Sequence, residues 1–320
     1  MTTYVVRRLL LAIPVLIAIT LAGYVTLSLA PGDPIRARMD PETLARMSPA
    51  QIETQRRAFG LDQPVIVQYG RWLADVARGD LGYSIVTRKP VVDELAARLG
   101  PTVLLMGAAL AIGLLLGIPF GVISAVRQYS AVDYVLTAVT MLLISSPVFV
   151  TGLIAIYLFA VSWQLLPVGG MATLGVPFDL GDRIAHLVMP ATILGVAIAA
   201  PFMRYTRASM LEVLQSDYMV TARSKGLGNR VVLIRHALRN ALLPVITLIG
   251  LLLPELVAGA VITEQLFAWP GMGSLAVQAA SNRDPALMMG VMMVVAIGVL
   301  ISSLAADVSY AAVDPRVRYD

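Results

Sequence analysis

The sequence predicts an all-α membrane protein with six transmembrane helices. A small outer domain is expected between the first and second, and a long basic cytoplasmic loop between the fourth and fifth. Three observations carry this. Of 320 residues, 58% are hydrophobic and 14% charged, and mean hydropathy is +0.79, outside the range of soluble domains. Apolar runs near the roughly 20 residues that a bilayer crossing needs recur along the chain. Basic residues gather in one connecting loop, as expected of a loop on the cytoplasmic side.

The six runs are Leu9 to Leu29, Thr102 to Val126, Tyr134 to Trp163, Leu187 to Met203, Leu242 to Thr263 and Leu287 to Ala306. The first follows Arg7 and Arg8. Ser28-Leu29-Ala30 looks like a peptidase site, but Pro31 follows directly and the apolar stretch exceeds the about 7–15 residues of a signal sequence. The run therefore reads as a retained span with a cytoplasmic N-terminus. The third run is long and holds Ser145-Ser146-Pro147 near its middle, which predicts a kink or a partly unwound helix. The fourth is the shortest.

Six crossings return the C-terminus to the cytoplasm. The loop after the fourth run carries Arg204, Arg207, Arg223, Lys225, Arg230, Arg235 and Arg239 against Glu212 and Asp217, and the tail adds Arg316 and Arg318. The loops on the other side, after the third and fifth runs, carry only Arg183 and Arg283. Residues 31–100 are also rich in basic side chains, but near-balancing acids and length exempt such a region from the rule. Within it, Val65, Tyr69, Trp72, Leu73 and Val76 recur at helical spacing, and Ser48-Pro49 is a helix start. The chain thus divides into a tail and first span (1–30), an outer domain (31–100), and a five-helix core (101–320) that includes the 204–244 loop.

Several function classes are excluded. A net charge of +4 without a basic stripe interleaved with aromatics gives no nucleic-acid surface. With no cysteine and only His186 and His236, far apart in sequence, no metal centre is expected. No Ser/His/Asp or paired-carboxylate grouping is concentrated anywhere, so no catalytic residues are assigned. A P-loop needs Lys followed by Ser or Thr, whereas Lys89 precedes Pro90 and Lys225 precedes Gly226. The chain binds no cofactor by this reading. No internal repeat or inverted symmetry supports a stand-alone secondary transporter.

Charged groups at membrane depth are costly, about 2.5–3.5 kcal/mol at a span centre, and default to functional roles. Glu255, beside Pro254 in the fifth run, is a candidate for the wall of a water-filled path, holding a cationic or N-terminal amine group. The alternative is a hydrogen bond to a neighbouring helix. Ser145 and Ser146 offer hydroxyls beside the Pro147 kink, with the same two readings. Glu264 with Trp269-Pro270-Gly271 is expected to form a structural gate element at the outer end of the fifth span, and Asp307 to reach the interface at the inner end of the sixth.

The most informative stretch is Ser216 to Pro244. Ser216 or Asp217 caps a helix through Lys225, Gly226 and Gly228 allow a sharp turn, and Arg230 to Ala241 forms a second helix leading into the fifth span. Small Ala222 and Ser224 would permit close approach of a partner, and Arg223 and Lys225 would pair with its acidic groups. The segments Thr221-Ala222-Arg223-Ser224-Lys225-Gly226-Leu227 and His236-Ala237-Leu238-Arg239-Asn240-Ala241-Leu242-Leu243-Pro244 resemble the cytoplasmic EAA loop of ABC-importer permeases. They are closest to the dipeptide, oligopeptide and nickel branch of that family. Pro31-Gly32-Asp33-Pro34, Gly60-Leu61-Asp62-Gln63-Pro64, Arg78-Gly79-Asp80-Leu81-Gly82, Phe267-Ala268-Trp269-Pro270-Gly271-Met272-Gly273, Asn282-Arg283-Asp284 and Asp314-Pro315-Arg316 fit the same branch in order and spacing. Val220-Thr221 departs from the general Glu-Ala consensus.

The resemblance implies a permease subunit in a bacterial inner membrane, forming half of a path for di- or oligopeptides, with nickel complexes, glutathione or oligosaccharides as alternative cargo. It implies a second homologous permease, two cytoplasmic ATPase subunits that bind ATP and Mg2+, and an extracytoplasmic substrate-binding protein. Tyr218, Thr221, Ala222, Arg223, Lys225, Gly226 and Arg230 would form the surface that meets the ATPase.

Overall fold

The computed structural model describes residues 2–29, 46–58, 62–226 and 228–313. The motifs at Pro31 to Pro34 and Asp314 to Arg316 lie outside the described residues, as do Gly60, Leu61 and Leu227. The described residues are helical apart from connecting segments, the longest over 163–179, and one isolated bridge, Tyr83 to Pro90. In chain order the helices are α1 (Thr2–Leu29), α2 (Pro49–Ala58), α3 (Val65–Ala77), α4 (Val91–Val126), α5 (Ala131–Ser145) and α6 (Val148–Ser162). They continue with α7 (Leu180–Leu214), α8 (Asp217–Ser224), α9 (Asn229–Ala241), α10 (Leu243–Ala258), α11 (Val261–Leu266), α12 (Met272–Ser281) and α13 (Pro285–Val313).

Four helices, α1, α4, α7 and α13, are long and apolar enough to cross a membrane; counting the bent pairs α5–α6 and α9–α10 as one span each gives up to six. The third run breaks where Ser145-Ser146-Pro147 predicts, but the bend is 101°, far more than a kink. Pro147 supplies no N–H to continue α5, and its φ of −60° starts α6 afresh. The last two turns of α6, Ile156–Ser162, are π-helical.

Hydropathy underestimates helix length at both ends. α4 begins at Val91, eleven residues before the apolar run at Thr102, with Asp93 and Glu94 in its first turn complementing the helix dipole. A domain boundary at 100/101 therefore falls inside one continuous helix. Likewise α7, expected to be the shortest span, has 35 residues, because polar turns at both ends extend beyond the apolar middle. The fifth span ends at Ala258 rather than Thr263, and α11 is a separate helix.

α4 and α7 form the centre of the fold, sewn together by a glycine seam. A Cβ at Gly113, Gly117 or Gly121 would lie 2.6 Å from Ile198, Phe202 or Thr206 on α7. Gly195 on α7 makes the reciprocal approach, with Ile112 at 2.6 Å. Small residues at four-residue spacing let two helix backbones meet closely, which gives dispersion contacts where lipid supplies no hydrophobic drive. Buried clusters cap the seam at each end. Val91, Leu95, Met272, Leu275 and Leu287 gather at what we call the Trp269 end. Ala125, Met210, Met219, Ala222, Val232 and Ala237 gather at the Gly226 end.

The second half of the 31–100 segment is not free-standing. α3 lays its apolar face on α1: Tyr69 stacks on Trp72 at 5.8 Å and meets Tyr24 edge-on at 5.8 Å. The Tyr69 hydroxyl donates to the Ile17 carbonyl at 3.1 Å and shares a hydrogen bond with Thr20 Oγ1 at 2.9 Å. α1 in turn is clipped to α13. Arg8 Nη2 meets Asp307 Oδ2 at 2.8 Å and donates to Ser303 Oγ at 3.3 Å, so Asp307 has an ionic partner rather than only the interface.

Candidate functional site

The Ser216 to Pro244 loop folds as a helix, a turn and a second helix. α8 spans Asp217–Ser224, and Thr221 and Ser224 donate their hydroxyls back to the carbonyls of Asp217 and Val220. Gly226 has φ +72°, the left-handed region that costs a residue with a Cβ about 1–2 kcal/mol. Gly228 has φ −61° and only precedes α9, so one glycine, not two, makes the turn. α9 is π-helical over Val232–Leu238 and meets α10 at a 44° bend.

This peg has an inner and an outer face. Met219 (0% exposed) and Ala222 (7%) pack with Met210, Val232 and Ala237. Ala222 is thus turned toward its own subunit. That corrects the expectation that its small side chain serves close approach of a partner; it seats α8 on α7 and α9 instead. Tyr218, Thr221, Ser224, Lys225 and Arg230 are exposed, and the Tyr218 hydroxyl accepts from Asn240 Nδ2 at 3.1 Å, joining α8 to α9. Arg223 lies within α8.

A partly buried ion pair braces the peg's support. Arg207 Nε donates to Asp133 Oδ1 at 2.8 Å and Nη2 to Oδ2 at 2.9 Å. Asp133 also accepts from Ser124 Oγ and from the Tyr129 N–H at 3.0 Å. One carboxylate therefore ties the end of α4, the start of α5 and α7 together. Counted only as a topological cation, Arg207 gives no sequence signal of this role.

At the opposite end, Glu264 is fully buried. Its Oε1 accepts from Thr102 Oγ1 at 2.9 Å and its Oε2 from the Ser274 N–H at 2.8 Å. Thr102 in turn accepts from the Met272 N–H at 2.7 Å. Burial pushes the Glu264 carboxyl above the usual range, opposed by these donors. Cβ atoms at Gly259, Gly271 and Gly273 would come within 2.3–2.9 Å of its side chain, so the Pro-Gly-Met-Gly turn is glycine-rich because backbone wraps the carboxylate. Trp269 Nε1 donates to the Pro101 carbonyl at 2.9 Å. Asp284, also fully buried, accepts from Ser84 Oγ at 2.7 Å and the Ile85 N–H at 2.8 Å, and caps α13 through the Leu287 N–H at 3.0 Å. The sequence singles out Glu264 and Trp269, but neither the Thr102 bond to Glu264 nor the separate Ser84–Asp284 bond is legible from spacing.

Of the three path candidates, Glu255 is exposed on α10, Ser145 is exposed at the end of α5, and Ser146 is half-buried with its hydroxyl donated to the Leu142 carbonyl at 2.8 Å. No hydrogen bond joins the serines to Glu255 among the described residues. Nor do these residues hold a group of three His, Asp or Glu placed to bind a metal.

The family described as the inner membrane component of binding-protein-dependent transport systems matches residues 117–319, and the N-terminal region of such components matches residues 1–106. The chain belongs to this permease family. The permease is 44% identical over 320 residues to the oligopeptide transport system permease protein AppB of Bacillus subtilis, covering 100% of both chains. It is 37% identical to the dipeptide transport system permease protein DppB of Alkalihalophilus pseudofirmus and 35% to the glutathione transport system permease protein GsiC of Escherichia coli K12, again over 100% of each. Its fold matches a chain of the inward-facing MetNI methionine ABC transporter with a TM-score of 0.58 at 18% identity, covering 71% of the permease and 99% of that chain. As a member of a non-catalytic family, the permease is the membrane component of a multi-subunit system.

Proposed function

We propose that this permease forms half of the translocation path of an ATP-driven importer of di- and oligopeptides, and that α8, Gly226 and α9 couple the path to separate ATPase chains that bind ATP and Mg2+. The single observation that carries the coupling role is the two-faced peg. Its buried face is locked to the central α4–α7 pair through Met219, Ala222 and Val232, while Tyr218, Thr221, Lys225 and Arg230 are exposed on the other side. A rigid element seated on the core and exposed on the other side converts motion of a docked partner into motion of the helices.

The peptide assignment is supported by the relatives named for oligopeptide and dipeptide transport. A glutathione relative at 35% identity keeps a short γ-linked peptide within the same reading. The reading includes a second homologous permease, two ATPase subunits and an extracytoplasmic binding protein, with both termini of this chain cytoplasmic in a bacterial inner membrane. Glu255 lines the path, since an exposed carboxylate on an apolar helix is tolerated where water or a partner covers it, and Ser145 and Ser146 flank the bend.

The test is uptake of labelled peptide by proteoliposomes carrying the purified complex and its binding protein. Wild-type complex imports peptide only with ATP. Gly226→Trp still inserts and assembles, but ATP hydrolysis and uptake part company. Normal uptake by Gly226→Trp rules out the coupling role, and ATP-independent uptake by the chain alone rules out the importer reading.

A further inference from the structure

Two arginines one turn apart on α7 have opposite fates. Arg207 is consumed by Asp133. Arg204 is exposed and has no ionic or hydrogen-bonding partner among the described residues. It lines a cavity of about 510 Å³ between α5 and α7, with Thr137, Met141, Pro201 and Tyr205. A guanidinium keeps its charge at any working pH and presents a planar fork suited to a carboxylate.

The neighbouring residue extends that space. Tyr205 also borders a second cavity, of about 370 Å³, with Leu243, Thr247 and Leu251 of α10. These three positions recur every four residues, so they lie along one ridge of the helix. Leu251 is 70% exposed. The ridge therefore borders the same space as Tyr205, the residue next to Arg204.

Resting on the peptide-importer reading above, we propose that Arg204 is a specificity residue of the path: it receives the C-terminal carboxylate of the peptide. A guanidinium in this place favours a free carboxylate over a capped one. A charge-assisted hydrogen bond from a guanidinium fork is expected to give about tenfold discrimination.

The experiment compares uptake of one tetrapeptide with a free C-terminus against its C-terminal amide, in proteoliposomes holding the full complex and binding protein. The ratio of the two rates is read for wild type, Arg204→Gln and Arg204→Lys with the same binding protein, so the receptor's own preference cancels between variants. The expected result is a ratio that falls about tenfold in Arg204→Gln and is partly restored in Arg204→Lys. ATP hydrolysis stimulated by the binding protein shows that each variant is assembled. If Arg204→Gln does not assemble, a reduced ratio in Arg204→Lys supports the proposal and an unchanged one overturns it. An unchanged ratio in an active Arg204→Gln complex overturns it too. So does an equal fall for both peptides that tracks the anionic lipid content of the vesicles, which assigns Arg204 to a lipid phosphate. Wild-type complex that imports neither peptide removes the underlying peptide reading instead.

Discussion

Arg207 grips Asp133 with two parallel hydrogen bonds, Nε to Oδ1 at 2.8 Å and Nη2 to Oδ2 at 2.9 Å, across 74 positions of sequence. The carboxylate is almost wholly buried, while the guanidinium is 29% exposed. The pair holds the first turn of α5 against α7, on the same side of the fold as the peg.

Replacing the fork should therefore matter even when the charge is kept. Arg207→Lys is expected to lower stability by roughly 2 kcal/mol, because one ammonium cannot reproduce both bonds. A double-mutant cycle with Asp133→Asn should show coupling of about 1–3 kcal/mol in thermal or denaturant unfolding of the purified protein. Additive effects of the two substitutions would falsify the bond as a stabilising link.

The glycine seam makes a prediction with its own control. A Cβ at Gly117 would sit 2.6 Å from Phe202 Cβ and 2.7 Å from the Ala199 carbonyl, whereas one at Gly107 on the same helix meets nothing within 4 Å. Gly117→Ala is expected to cost about 1–3 kcal/mol through overpacking of α4 on α7, and Gly107→Ala to be neutral or slightly stabilising. Comparing the melting temperatures of the two variants in one detergent decides it.

The turn of the peg separates strain from bulk. Gly226 and Gly228 both have open space around an added Cβ, but only Gly226 has positive φ. Gly226→Ala should strain the turn by about 1–2 kcal/mol and reduce ATP-dependent uptake, while Gly228→Ala leaves uptake unchanged. Equal effects from the two substitutions would mean that crowding, not backbone geometry, governs the turn.

At the other end, Thr102 joins two buried partners, donating to Glu264 and accepting from the Met272 N–H. Thr102→Val keeps the shape and strands both, for an expected loss of about 2–3 kcal/mol. Thr102→Ser should recover most of it. Limited proteolysis of the α10–α12 region, compared across the three proteins, reports whether this region loosens as the hydroxyl is lost.

How much of this was legible in the sequence follows from what each signal measures. Apolar runs located the long helices, because the solvent of a span is hydrocarbon, but they missed Val91 to Gly100 of α4 and the polar turns of α7. Ser145-Ser146-Pro147 marked a break without revealing its 101° angle, which depends on what α6 packs against. The peg was legible from Gly226 and the flanking helical patterns. Its facing was not: small Ala222 suits a partner surface or a tight core equally, and only packing with Met210 and Val232 assigns it. Gly113, Gly117 and Gly121 form a four-residue repeat, but inside an apolar run that spacing does not say which helix it meets. Asp133 and Arg207 carry no local signature, because the contact is made by the fold rather than by spacing.

The lengths of α4 and α7 have a mechanical consequence. At 36 and 35 residues they measure about 54 and 52 Å, against a hydrocarbon layer of roughly 30 Å. Since the seam forbids sliding, the two helices form a single beam longer than the bilayer is thick. A tilt of about 5° about one end of a rod of this length carries the other end about 5 Å, one helical turn. An angular change too small to disturb any single side-chain contact at the Gly226 end thus becomes a full step at the Trp269 end.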